Sequence, residues 1–175
     1  MARVSDIPPD KVPADARDTY LKFANGYGPF RSQVGVFAHV PSSVRHLMGM
    51  LLELREQKNV PYRYIELAIV AVSKLNECDY CVAHHKPLLT VEGISPDGID
   101  RVLDYADHPE FDAVDKLVVE YAIQVTDQPQ RIRDNLFERL HEHFSEAQIV
   151  ELTLRIALCG FFNRFNDALM IDADA

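Results

Sequence analysis

Cys78 and Cys81 stand in the run Glu77-Cys78-Asp79-Tyr80-Cys81-Val82-Ala83-His84-His85. A Cys-x-x-Cys spacing brings two sulfurs within range of making and breaking a disulfide. His85 follows Cys81 by one helical turn, so on a helix its imidazole shares a face with that sulfur. The thiolate is the nucleophilic form of cysteine, and a neighbouring imidazole can take up the proton. Cys78, Cys81 and His85 therefore read as a redox or peroxide-reducing site.

The same spacing also supplies half of a zinc site. Zinc requires two further ligands, usually Cys or His in matching short spacing. Cys159, the only other cysteine, sits in the apolar run Leu158-Cys159-Gly160-Phe161 and reads as a buried structural thiol. His84 and His85 are too close to the pair on one helix to complete a tetrahedron with both sulfurs. No metal and no cofactor is expected. His84 is turned about 100° from His85 and reads as a surface or packing residue. His39, His46, His108, His141 and His143 have no partner at a telling spacing and read as surface or boundary residues.

Composition narrows the setting. The chain has 175 residues, 47% hydrophobic and 26% charged, enough for one domain with a sizeable core. Its net charge of -9 comes without a basic tract, which argues against a nucleic-acid partner. No apolar run is long enough to cross a bilayer, and the N-terminus lacks an apolar signal core. A cytoplasmic address is expected, and in a reducing compartment a close cysteine pair serves catalysis, redox chemistry or metal binding.

The elements that must hold the pair follow from helical periodicity. Residues 1–14, with Pro8, Pro9 and Pro13, read as an extended arm ahead of a single helical domain over 15–175. A first helix begins near Asp15 and is broken at Gly26, Gly28 and Pro29. Pro41 to about Lys58 has helical apolar spacing, with Pro41 at its start. The run from Pro61 through Ser73 is apolar around most of its circumference and predicts a central, buried helix ending at Asn76. The next helix starts near Cys78, is kinked or interrupted at Pro87, and closes at Gly93. Ser95-Pro96 opens a short helix to about Tyr105. Further helices are expected over Phe111–Thr126 and Ile132–Phe144, and a last one opens on the capping box Ser145-x-x-Gln148 and reaches about Met170. The predicted architecture is an all-α bundle of about seven or eight helices.

Glu66, then Cys78-x-x-Cys81, then His85, then Gly93 resembles the pattern of the alkyl hydroperoxidase D (AhpD)-like branch of the carboxymuconolactone decarboxylase superfamily. Tyr64-Ile65-Glu66-Leu67-Ala68-Ile69 resembles the helix leading into that family's active site. Phe144–Leu152 and Phe162–Asp167 resemble its C-terminal helices, so the likeness runs from about Leu47 to the end. The resemblance implies an all-helical homo-oligomer, a trimer or hexamer, acting as a thiol peroxidase. It implies that Cys81 attacks the peroxide and Cys78 resolves the sulfenic acid as a disulfide. It implies that Glu66 orients or charges His85 through water, and that a dithiol of thioredoxin or lipoyl type resets the pair. The order of the two sulfurs is open, since Cys78 lies nearer the helix N-terminus, which also favours thiolate. AhpD carries a histidine immediately before the second cysteine, where this chain has Tyr80, so the relay becomes Glu66, Tyr80 and His85.

Without the resemblance, Arg63, Glu66, Ser73 and Lys74 read as a narrow solvent stripe and Glu66 as an exposed carboxylate. Asn163, Arg164 and Asp167 fit either an oligomer interface or a site wall. Two other functions compete with the thiol peroxidase. A decarboxylase or lactone-acting enzyme of the same superfamily needs a cationic pocket and a general acid or base rather than a cysteine pair. A redox-sensing, non-catalytic helical protein would form the disulfide without turnover.

Overall fold

The buried helix expected after Pro61 spans Tyr62–Leu75, and every residue from Ile65 to Ser73 lies in its buried stretch. The computed structural model describes residues 2–171. Among them there is no strand and there are nine helices, eight of seven residues or more. They are α1 (Ala14–Lys22), α2 (Arg31–Phe37), α3 (Gly49–Gln57), α4 (Tyr62–Leu75), α5 (Asp79–Val91), α6 (Pro96–Asp100), α7 (Ala113–Asp127), α8 (Asp134–His141) and α9 (Glu146–Leu169). The expected all-α class is therefore observed. The chain divides into two compact units, Met1–Asn59 with Phe165–Ala175, and Val60–Arg164.

In the first unit the proline-rich leading segment carries one 3-10 turn, Pro9–Lys11. It is tied down by Ile7 N–H donating to Gly35 O and by the Tyr20 hydroxyl donating to Ile7 O. Helix α1 runs into a π-turn at Phe23–Tyr27, where the Phe23 and Tyr27 rings stack 4.4 Å apart. Pro41 opens a short turn that continues through a second π-turn, Val44–Met48, into α3. Helix α2 was not legible in the sequence. It is short and holds Gly35, and burial of Val34, Val36 and Phe37 fixes it where propensity would not.

In the second unit α4 is the central element, flanked by α5 and α7. Leu67, Val70 and Val72 are wholly removed from water, each worth roughly 1.5–3 kcal/mol. Pro87 does not end α5, which continues to Val91. Pro87 and Ala83, whose carbonyl loses its helical partner to the proline, are both exposed, so that carbonyl can be hydrated. Gly93, at φ +90°, closes α5 with Ile94 N–H on Leu89 O and its own N–H on Thr90 O. Ser95 caps α6 by accepting from Gly98 N–H, and Ser145 and Gln148 exchange both capping-box hydrogen bonds ahead of α9. Asp112 and Asp115 form a second capping box at α7 that an Asp-x-x-Asp sequence does not advertise.

The polar stripe read on α4 does not exist as such: Glu66 and Ser73 are buried, and Arg63 forms a bidentate pair with the fully buried Asp115. Arg63 Nη1 also donates to Glu92 O, so one guanidinium ties the start of α4 to the start of α7 and the end of α5. His108 corrects its expectation in the same way. It is 2% exposed, its Nε2 bonded to Asp97 at 3.0 Å, so it is a buried strut and not a boundary residue. Removing Asp115 strands the guanidinium and dismantles the α7 cap together. Asp115→Ala is expected to lower unfolding free energy by about 3 kcal/mol, measured by urea denaturation; a loss under about 1 kcal/mol would contradict this role.

Candidate active site

Cys78 is delivered by the turn between α4 and α5. Cys78 N–H reaches back to Ser73 O at 2.9 Å and Glu77 N–H to Lys74 O at 3.1 Å, the two hydrogen bonds of a Schellman closure. Glu77 occupies the left-handed position, φ +57°, where glycine is the usual residue. Holding a glutamate there costs of order 1 kcal/mol, a strain carried immediately beside the first sulfur. Cys78 is then the N-cap residue of α5, in extended backbone, and Cys81 lies in the helix's first turn.

The closure brings the sulfurs together. Cys78 Sγ donates to Cys81 Sγ at 3.1 Å, a hydrogen-bonded contact rather than the roughly 2.0 Å of a disulfide. Both residues are buried, Cys78 fully and Cys81 to 4% exposure. One turn on, His85 Nδ1 lies 2.7 Å from Glu66 Oε2, so the resemblance-derived pairing of α4 and α5 is present as a direct contact and not through water. Glu66 is 1% exposed. Burial alone would push the His85 imidazole down. The charge of Glu66 and its hydrogen bond outweigh burial, and the charge of Cys81 adds to them, holding the ring above its usual range.

Tyr80 sits apart from that contact in what it does. Its ring stacks on His84, centroids 3.9 Å apart, and its carbonyl accepts from His84 Nδ1 at 2.6 Å. His84 is buried and serves packing, as its offset from His85 suggests. The structure thus brings together Cys78 with Cys81 and Glu66 with His85, while the ring and carbonyl of Tyr80 engage His84. Among the described residues no group of three His, Cys, Asp or Glu side chains is placed to hold a metal ion.

Sequence reasoning did not find the support behind the turn. Ser73 Oγ lies 3.3 Å from Cys159 Sγ and accepts from Asn163 Nδ2 at 3.2 Å, and Asn163 Oδ1 accepts from Asn76 Nδ2 at 2.8 Å. Asn163 thus lies at the site's wall, 1% exposed. The residue whose carbonyl holds Cys78 is therefore anchored by its side chain to α9. Burial pushes the Cys159 thiol up to about 12, with the Ser73 hydrogen bond opposing it, and the charges of Cys81 and Glu66 raise it further. Cys159 stays protonated at neutral pH and is no rival nucleophile. The only signal for this cluster was the run of small and amide residues near helix ends, which periodicity does not interpret.

The family model described as the carboxymuconolactone decarboxylase family matches residues 41–126, which include the whole Glu66–His85 segment. An uncharacterized protein of Escherichia coli K12, YnjA, is 27% identical over 170 residues, covering 95% of this chain and 93% of its own. The crystal structure of an uncharacterized peroxidase-related protein with an AhpD core, from Ralstonia eutropha JMP134, superposes with a TM-score of 0.83 at 22% identity, covering 99% of this chain and 92% of that one. The debrominase Bmp8 superposes with a TM-score of 0.80 at 17% identity, covering 98% and 92%. Among the described residues no helix is long and apolar enough to cross a membrane. The segment that carries the paired sulfurs and the Glu66–His85 contact is thus the segment that the carboxymuconolactone decarboxylase family model matches, and the fold around it is the one seen in the AhpD-core protein of Ralstonia eutropha.

Proposed function

We propose that this chain is a thiol-dependent oxidoreductase that reduces hydroperoxides through Cys78 and Cys81, with Glu66 and His85 as its proton relay. The supporting observation is the 3.1 Å sulfur pair one helical turn from a buried 2.7 Å carboxylate–imidazole contact. Glu66 occupies Nδ1, so proton exchange with sulfur falls to Nε2. His85, made more basic by Glu66, accepts the proton of Cys81 and leaves a thiolate–imidazolium pair. The Cys78 thiol, donating to Cys81 Sγ, steadies the thiolate further.

The thiolate attacks the terminal oxygen of the hydroperoxide. An S–O bond forms, the O–O bond breaks, and the alkoxide leaves as the alcohol with the imidazolium proton. Cys78 sulfur then attacks the sulfenic sulfur. The S–S bond forms as the S–O bond breaks, and the hydroxide leaves as water with the Cys78 proton. An external dithiol of lipoyl or thioredoxin type restores both thiols by exchange and becomes the disulfide. Tyr80 acts by fixing the first turn of α5 through its stack on His84. The same two electrons can reduce other acceptors. As a second substrate class we propose an aryl bromide, on the likeness of fold to the debrominase Bmp8, whose cysteine-to-alanine variant was solved in complex with 2,3,4-tribromopyrrole. The thiolate takes the bromine as an S–Br bond forms and the C–Br bond breaks, and the ring carbon takes the imidazolium proton. Cys78 sulfur then displaces bromide as the disulfide forms and its own proton passes to solvent.

Cys81→Ser is expected to lower steady-state reduction of an organic hydroperoxide at least 100-fold with a dithiol donor present. Cys78→Ser is expected to give one turnover and a sulfenic acid on Cys81 visible by mass spectrometry. A Cys81→Ser variant at full rate rules the mechanism out, and bromide release without peroxide turnover selects the second substrate class.

The relay is tested by the titration of His85. Glu66→Gln keeps the size and a hydrogen-bond acceptor but removes the charge, so burial dominates. The His85 imidazole is expected to titrate above about 6.5 in the native chain and below it in the variant, read by NMR of the ring. A folded-state value raised above that of the unfolded chain stabilises the fold fully below about pH 6.5 and stops doing so as pH rises through the raised value. The native chain's stability advantage over Glu66→Gln from this group should fade over that window. An unchanged His85 titration in the variant defeats the relay.

A further inference from the structure

Helix α9 buries Ile149, Leu152 and Ile156 as a surface helix should, but it departs from the usual polarity in two ways. Between Glu146 and Arg164 it contains two charged residues, Glu151 and Arg155, and both are turned inward at 6% and 2% exposure, 3.6 Å from one another. Val150, Leu154 and Phe161 point outward at 67%, 36% and 44% exposure, with Ala157 exposed and Leu158 half-buried beside them. At about 100° per residue these five side chains fall within an arc of about 100°, a continuous apolar stripe on the solvent side. A stripe of this kind marks an interaction surface.

The charges at its ends select the partner. Glu146 and Arg164 are both exposed and neither has an ion-pair partner among the described residues. They are separated by five whole helical turns, about 27 Å, so they lie on the same flank of the stripe. The stripe is nearly palindromic: Val150 with Phe161, and Leu154 with Ala157, share one midpoint, and Glu146 with Arg164 share a midpoint half a residue away. A two-fold axis perpendicular to the helix at that midpoint sets a second copy of α9 antiparallel on the first. It places Phe161 of each copy over Val150 of the other, and Glu146 of each beside Arg164 of the other. A parallel arrangement would put Glu146 against Glu146.

We infer that the outward face of α9 is a self-complementary interface, closed by a second copy of this chain in antiparallel register with two Glu146–Arg164 ion pairs. The contact is independent of the thiol chemistry. It fits a dimer, or a hexamer built from dimers, and does not fit a lone trimer. One helix face is smaller than the roughly 800 Å² per partner of a standard interface, so association at about micromolar strength is expected.

Sedimentation velocity of the full chain from about 1 to 100 μM should show a dimer or an even-numbered assembly containing it. Leu154→Glu is expected to weaken that association at least tenfold while circular dichroism and thermal unfolding stay unchanged. Because a substitution in a long helix can also perturb folding, charge exchange is the second arm. Glu146→Arg and Arg164→Glu should each weaken association about three- to tenfold, and the double exchange should return it to within about twofold of the native chain. A monomeric or trimeric native chain, an assembly indifferent to Leu154→Glu, or a double exchange no better than the single ones would overturn the interface.

Discussion

A carboxylate in the middle of an apolar helix is the constraint from which the site follows. Glu66 is 1% exposed between Ile65 and Leu67 on α4. A buried carboxylate is costly without a hydrogen-bonded partner of opposite sign, and the partner present is His85 at 2.7 Å. That single contact fixes the register of α5 against α4. Once His85 must meet Glu66, Cys81 one turn earlier is carried to the same face, and Cys78 follows through the turn. The nucleophile is placed by the solvation demand of a group on another helix.

The turn itself is held from both sides. Its closure relies on the carbonyl of Ser73 for the Cys78 N–H, and the hydroxyl of the same residue is engaged by Asn163 and Cys159 of α9. A glutamate tolerates the left-handed conformation at Glu77 because this scaffold over-determines it. The three sulfurs of the chain are thereby separated in character. Two are paired across the strained turn near an imidazole. The third is in an apolar wall where burial keeps its proton on.

How much of this could be read from the chain depends on whether the cause was local. Helix α4 was legible because nine-residue burial leaves a run of apolar letters, and the start of α9 because Ser145 and Gln148 are three residues apart. The cysteine pair was legible for the same reason. Helix α2 was not, since its stability is supplied by burial of Val34, Val36 and Phe37 against other parts of its unit rather than by propensity or caps. Arg63 with Asp115, Asn163 with Ser73, and His108 with Asp97 were also out of reach. Their partners lie 52, 90 and 11 residues away, and a polar letter alone does not say whether its partner is water or protein. Glu66 is the instructive case: periodicity on α4 gave it to solvent, and only the pattern of the cysteines and His85 downstream gave it to the site.

Helices α4 and α9 break the same rule in opposite directions. On α4 one charge is placed inside an otherwise apolar stretch, and its partner is found within the chain, beside a pair of thiols. On α9 Glu151 and Arg155 are again inside, while Val150, Leu154 and Phe161 have gone outward. The first inversion costs solvation and returns an altered proton affinity on His85. The second leaves apolar surface in water, which no interaction within the unit offsets. A chain that tolerates both gains from each only when the missing component arrives: an oxidant at the sulfurs in one case, and a matching apolar face in the other.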